Sequence, residues 1–172
     1  MSRNKRALYP FFKPHDGTKN VYISGGMSGY PDDNAPSFEI AEAALQALGY
    51  AVCSPVRTSE WLSDLSHADY LRFDFERVLE ADFLVALPGW ETSLGALAEI
   101  LVATRIGTKV WRWENFSNYD LVTYADVEAA ISAMHRGESK PTTVFVDRLV
   151  TTVEPETGYN DEASDWLRRS FP

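Results

Sequence analysis

The feature that most constrains this chain is Asp82-Phe83-Leu84-Val85-Ala86-Leu87, a short and almost unbroken apolar run closed by Pro88-Gly89. Such a run has no polar face to offer water. It therefore suits a strand covered on both sides by helices, as in parallel sheets. Its flanks agree. A helical pattern precedes it over about residues 68–80, with Leu71, Phe75, Val78 and Leu79 on one face. Another runs from about Ser93 to Ile106 and is stopped by Gly107.

The same alternation extends in both directions. Val21-Tyr22-Ile23-Ser24 reads as a buried strand ending in a Gly25-Gly26 turn. A helix opens at Pro36-Ser37, carries Phe38, Ala41, Leu45 and Leu48 at helical spacing, and ends at Gly49. Tyr50 to Cys53 is a second strand, stopped by Pro55, and residues 56–66 read as a loop containing Trp61. Lys109 to Trp113 is a fourth strand. A helix is expected over 124–135, a fifth strand over 142–146 and a short helix over 161–169. Strands alternating with helices at this spacing predict an α/β fold: a doubly wound, mostly parallel sheet of four to five strands, flavodoxin- or Rossmann-like, flanked by helices.

A length of 172 residues fits one domain. We place it at 20–150, after an irregular N-terminal arm (1–19) and before an acidic C-terminal extension (151–172). The net charge of −9 argues against a nucleic-acid polymer as partner, because phosphate backbones need a concentrated basic surface. Cys53 is the lone cysteine, and His15, His67 and His135 are scattered, so no disulfide framework, metal site or metal cofactor is expected. No secretory leader pattern and no membrane-length apolar run is present, which makes the cytoplasm the expected compartment and excludes a membrane partner.

In open parallel sheets, ligands bind beyond the carboxyl ends of the strands. Three segments lie there: Ser24-Gly25-Gly26-Met27-Ser28-Gly29, Pro55-Val56-Arg57, and Pro88 to Gly95. The first and third are rich in glycine and hydroxyls, so backbone N–H groups can approach a phosphate or sugar, helped by the positive end of the helix beginning near Ser93. The glycines at 25, 26 and 29 do not form the G-x-G-x-x-G fingerprint, and no P-loop lysine follows. A plain tight turn explains them equally well.

Glu99 is the sharper feature. It lies in the most apolar helix and shares a face with Gly95 and Ala96, small residues that leave an open space beside a carboxylate. It reads equally as a catalyst or as a structural charge, solvent-facing or paired with Arg72, Arg77 or Arg105. Asp74 is a second helix carboxylate, and Trp90 stands at a strand edge where a flat base can stack or where it can simply pack.

Taken in order, four segments resemble the nucleoside 2-deoxyribosyltransferase-like superfamily, which includes the deoxynucleoside 5′-monophosphate N-hydrolases, and are most similar to its phage-encoded members. They are Val21 to Gly29, Leu48-Gly49-Tyr50-Ala51-Val52, Asp74 with Ala81-Asp82, and Ser93-Leu94-Gly95 with Glu99 and Ala103. They span about residues 20–112.

The resemblance implies Glu99 as the nucleophile at C1′ of the sugar, Asp74 as the group assisting protonation of the departing base, and Tyr22 as a positioning residue. This is the two-carboxylate logic of retaining glycoside cleavage. Ser24 to Gly29, Trp90, Ser93 and Gly95 would hold the substrate. Transferases of the superfamily carry an acid six residues before the nucleophile, where the monophosphate hydrolases carry a serine, and this chain has Ser93. An arginine that the hydrolases carry in the first loop is absent here. The expected activity is hydrolysis of a (deoxy)nucleoside 5′-monophosphate to free base, with base exchange, or cleavage or binding of an NAD-derived or other nucleotide signal, as the alternatives. The resemblance also implies no cofactor, a homodimer or larger homo-oligomer and, for a phage-encoded protein, the host cytoplasm.

Overall fold

The computed structural model describes residues 17–61, 66–114 and 120–138. The expected strand at 142–146 and helix at 161–169 lie outside them, as does most of the N-terminal arm.

Four strands form one parallel sheet: β1 (Asn20–Ser24), β2 (Ala51–Cys53), β3 (Phe83–Ala86) and β4 (Lys109–Arg112), in the order β2-β1-β3-β4. Val21 pairs with Val52 on one side and Phe83 on the other, and Leu84 pairs with Val110. The fold is α/β and doubly wound. Helices α1 (Ala35–Ala47), α2 (Pro55–Trp61), α3 (His67–Glu80), α4 (Leu94–Ile106) and α5 (Tyr124–His135) make the connections and the covers.

Because side chains alternate along a strand, each strand serves two cores. Val21, Ile23, Val52, Phe83, Val85 and Trp111 face α1, meeting Phe38, Ala41 and Leu45. Tyr22, Leu84, Ala86 and Val110 face the other way, onto Val78 of α3, Leu97 and Ile100 of α4, and Val127 and Ala130 of α5. All four residues of β3 are buried, as its apolar run requires.

Two expectations need correction. Residues 55–61 are a helix rather than part of a loop. Proline ends a strand, but it equally suits the first turn of a helix, where its missing N–H has no partner to lose. Here Pro55 opens α2, and the Ser54 hydroxyl accepts from the Arg57 N–H at 3.5 Å. Leu79 is 59% exposed, while Val78 alone of that adjacent pair turns fully inward. Helix α1 follows a tight turn at Pro31–Asn34, in which Asp32, Asp33 and Asn34 all have positive φ.

Strand order reverses between β1 and β3, since the chain winds from β1 to β2 on one side and then crosses to β3 on the other. That reversal opens a crevice at the carboxyl ends of β1 and β3. The site is built there.

Candidate active site

Tyr22 and Ser24 are two apart on β1, so both side chains leave the same face of the sheet. Helix α4 crosses that face and brings Glu99, 4% exposed, between them. The Tyr22 hydroxyl donates to Glu99 Oε1 at 2.8 Å, and the Ser24 hydroxyl donates to Oε2 at 2.6 Å. Helix α3 brings Asp74, 7% exposed, to the same place. Among the described residues, Asp74 Oδ1 is buried with no hydrogen-bond partner. Buried Cys53 of β2 lies alongside.

No Lys or Arg pairs with either carboxylate among the described residues. The arginines that might have neutralised Glu99 are engaged elsewhere: Arg72 with Asp69, Arg77 with Glu76 and Glu80, and Arg105 over the Tyr124 ring. A buried carboxylate without a counter-ion costs several kcal/mol, roughly, and hydrogen bonds to a charged group return about 1.5–3 kcal/mol each. The shortfall shows in acidity. Burial pushes Glu99 up to about 8, against the opposing pull of the Ser24 and Tyr22 hydroxyls and with the help of Asp74's charge. Burial likewise pushes Asp74 up to about 6, with Thr58 and Tyr22 opposing it. Near neutral pH the pair therefore holds one proton between them. The Tyr22 phenol is pushed well above its ordinary range, first by burial and then by both carboxylates, and burial raises the Cys53 thiol to about 12.

The opening beside Glu99 lies one turn back along α4. A Cβ added at Gly95 would meet only the Ser93 Oγ, at 3.9 Å. Ser93 is the N-cap of α4, where its Oγ accepts from the Ala96 N–H at 3.3 Å. That contact uses an oxygen lone pair and leaves the hydroxyl proton free to donate. Six residues separate Ser93 from Glu99, about 9 Å along the axis, on the scale of a pentose and its 5′ substituent.

The β1 loop approaches from the other side. A Cβ at Gly26 would lie 2.8 Å from the Tyr30 ring and 3.4 Å from Ser93, so only glycine lets the loop lie against the cap of α4. Gly25 packs against Leu87 and Phe38, Met27 packs against the α1-side core, and Ser28 and Gly29 are exposed at the turn. The structure thus joins Glu99, Asp74, Tyr22 and Ser24 in one cluster, with Gly26, Ser93 and Gly95 at its mouth. Ser24, expected at the substrate, is fully buried with its donor on Glu99.

Trp90 is not at the mouth. It is 2% exposed within the core formed with α4 and α5, and Arg112 stands over its ring. The expectation of a stacking surface gives way to packing, because the chain beyond β4 folds back over this turn.

Sequence reasoning missed Thr58, whose helix was read as loop, and Asn34, whose side-chain amide donates to Gly26 O at 2.8 Å and ties the loop to the start of α1. The Ser54-Pro55 pair signals α2, and Asn34 just before Ala35-Pro36 signals a helix start.

The model of one family, described as "Domain of unknown function (DUF4406)", matches residues 19–112, more than half of the chain. The protein belongs to that family. Among curated proteins, none matches it. The DUF4406 match runs from the residue before β1 to the last residue of β4, so it contains every member of the cluster and both sides of its mouth. Helix α5 lies beyond it.

Among the described residues no group of three His, Cys, Asp or Glu could hold a metal ion, and no helix is long and apolar enough to cross a membrane. The cluster itself offers two carboxylates, Glu99 and Asp74, and the two hydroxyls of Tyr22 and Ser24.

Proposed function

We propose that the protein cleaves the N-glycosidic bond of a (deoxy)nucleoside 5′-monophosphate through a covalent glycosyl-glutamate, releasing free base. The observation that carries this reading is Glu99: a buried carboxylate with no cation paired to it among the described residues, held by two hydroxyl donors and set beside a second buried carboxylate.

The roles follow from hydrogen bonding. Glu99 is the weaker acid of the pair and holds the shared proton at rest. Tyr22 and Ser24 donate to its carboxylate and so favour passing that proton to Asp74. That leaves the Glu99 anion, the form that attacks C1′. Asp74 has an oxygen with no donor, which suits the protonated form and a general acid. As the C1′–O bond to Glu99 forms, the C1′–N bond breaks and the base leaves with the proton from Asp74. Water then attacks C1′ and gives a proton to Asp74, and the glutamate ester is released as carboxylate. Two displacements retain configuration. The free proton on Ser93 and the positive end of α4 suit a 5′-phosphate at the mouth. The reading carries with it a small-molecule partner, a cytoplasmic setting and assembly as a homodimer or larger homo-oligomer.

The test is chromatographic. The protein is incubated with dNMPs, NMPs, deoxynucleosides plus an acceptor base, and NAD. Free base from a monophosphate, lost in Glu99→Ala, is the expected outcome. Base exchange without net hydrolysis would make the protein a transferase, and nicotinamide release a nucleotide-signal hydrolase. No turnover, with nucleotide binding intact in Glu99→Ala, would sink the enzyme reading.

A further inference from the structure

Tyr30 closes the turn that follows β1, its N–H donating to Met27 O at 3.1 Å. Its ring packs against Gly26. From the point where a Cβ would stand on that glycine, Tyr30 Cε2 is 2.8 Å away and Tyr30 Cζ 3.5 Å. Ser93 Cβ is 3.4 Å from the same point. The two carbons that carry the Tyr30 and Ser93 hydroxyls therefore lie within 3.5 Å of one point at the mouth of the cluster. A single tetrahedral group is large enough to reach both hydroxyls.

The Tyr30 hydroxyl is out of keeping with its position. A part-exposed tyrosine ordinarily turns its polar tip to water. Here the residue is part-exposed, yet the hydroxyl is buried and has no hydrogen-bond partner among the described residues. A buried donor left unpaired is costly, and one kept that way at a site's mouth points to a partner that arrives. The loop that holds it is pinned by Asn34, 3% exposed, whose amide donates to Gly26 O at 2.8 Å. Asn34 Oδ1 is likewise buried and unpartnered, and Asp32, Asp33 and Asn34 carry positive φ in succession. Strain and unpaired polar atoms thus gather in one segment beside the mouth.

We propose that Tyr30 sets the specificity for the substrate's 5′ group, its hydroxyl and that of Ser93 together holding one 5′-phosphate. The proposal rests on the nucleoside monophosphate reading above. The phosphate enters between the two side chains and supplies the acceptor that the Tyr30 donor lacks. Residues 24–34 contain no Lys or Arg, so the grip is made of neutral donors and the positive end of α4. Ser93 keeps a lone pair on the Ala96 N–H and gives its proton. Asp32 and Asp33 are exposed, so water and salt screen their charge. A neutral 5′-hydroxyl accepts more weakly than an anionic oxygen, so the pair favours the monophosphate over the nucleoside.

The test is calorimetric. Glu99→Gln, which prevents turnover under the proposed function, is titrated with dNMPs and with the matching deoxynucleosides, with and without Tyr30→Phe. Phenylalanine keeps the ring against Gly26 and removes only the hydroxyl. The monophosphates should bind roughly tenfold or more weakly, while the deoxynucleosides stay within about twofold. Thermal melts supply a second readout: loss of an unpaired buried hydroxyl should leave Tm unchanged or raised. Equal weakening of both ligands, no weakening, or a lowered Tm overturns the proposal, as does a parent protein that binds no monophosphate. With Glu99 in place, KM for the monophosphate should rise by the same factor at unchanged kcat. The two readings fail separately. A wild type that releases no base defeats the glycosidase assignment, while the binding ratio still decides Tyr30. A wild type that releases base from monophosphates, with the ratio unmoved in Tyr30→Phe, defeats Tyr30 alone.

Discussion

Glu42 on α1 and Glu99 on α4 are buried to nearly the same degree, 6% and 4% exposed, on helices that cover opposite faces of the sheet. Glu42 is met by the Arg57 guanidinium at 3.0 Å and by the Gln46 amide at 2.9 Å. Glu99 is met by two neutral hydroxyls and by another acid. The first arrangement keeps a charge quiet and helps to hold α2 against α1. The second leaves a carboxylate without a counter-charge among the described residues, at a cost in stability the rest of the domain has to offset. Under the proposed function, the contrast separates a structural glutamate from a catalytic one more sharply than burial alone.

The largest expected effect breaks the comparison at once. Glu99→Ala should lower base release by roughly 10³-fold or more, whereas Glu42→Ala should leave kcat within a few-fold in whatever fraction remains folded. Equal losses in the two variants, measured by base chromatography, would erase the distinction.

Stability should respond with opposite signs. Glu99 and Asp74 retain protons in the folded state that the unfolded chain releases above about 4.5 and 3.8, and their folded values are about 8 and about 6. Between these limits the native state binds more protons, so wild-type stability falls as pH rises. Glu99→Gln should remove the Glu99 part of that fall, stabilising by on the order of 2–4 kcal/mol at pH 8 and by nothing near pH 4. Glu42→Gln should destabilise instead, by roughly 1–2 kcal/mol because Arg57 is half-exposed. Urea melts of both variants across that range measure the two signs.

A smaller effect sharpens where the substrate sits. Gly95→Ala has room for its methyl and replaces a helical glycine, so it should stabilise by about 0.5–1 kcal/mol. If that room is the substrate's, KM should rise several-fold in the same protein. Stabilisation with unchanged KM would move the substrate off the Gly95 face.

The degree to which this was legible in the sequence follows from how local each signal is. The β3 run is self-contained, so strand, parallel sheet and flanking helices could all be read from it. Helix α2 could not, because Pro55 carries two meanings and only the packing against α3 chooses between them. With α2 hidden, buried Thr58 had no place against α3. Periodicity left Glu99 balanced between solvent and core, since a helix apolar on nearly every face does not say which side is inward. Contact with Tyr22 and Ser24, some 75 residues away in sequence, resolves it. Trp90 misled for the same reason, as the α5 segment that buries it lies far downstream.

Ser93 has a further consequence. The start of α4 accepts Ser, Thr, Asp or Asn as its cap at nearly equal stability. The residue facing the mouth can thus exchange a neutral donor for an anionic acceptor without unfolding the helix that carries Glu99. If the protein acts as proposed, substrate charge preference can drift between descendants of this chain along a level path, one codon at a time, while the bond that is cut stays the same.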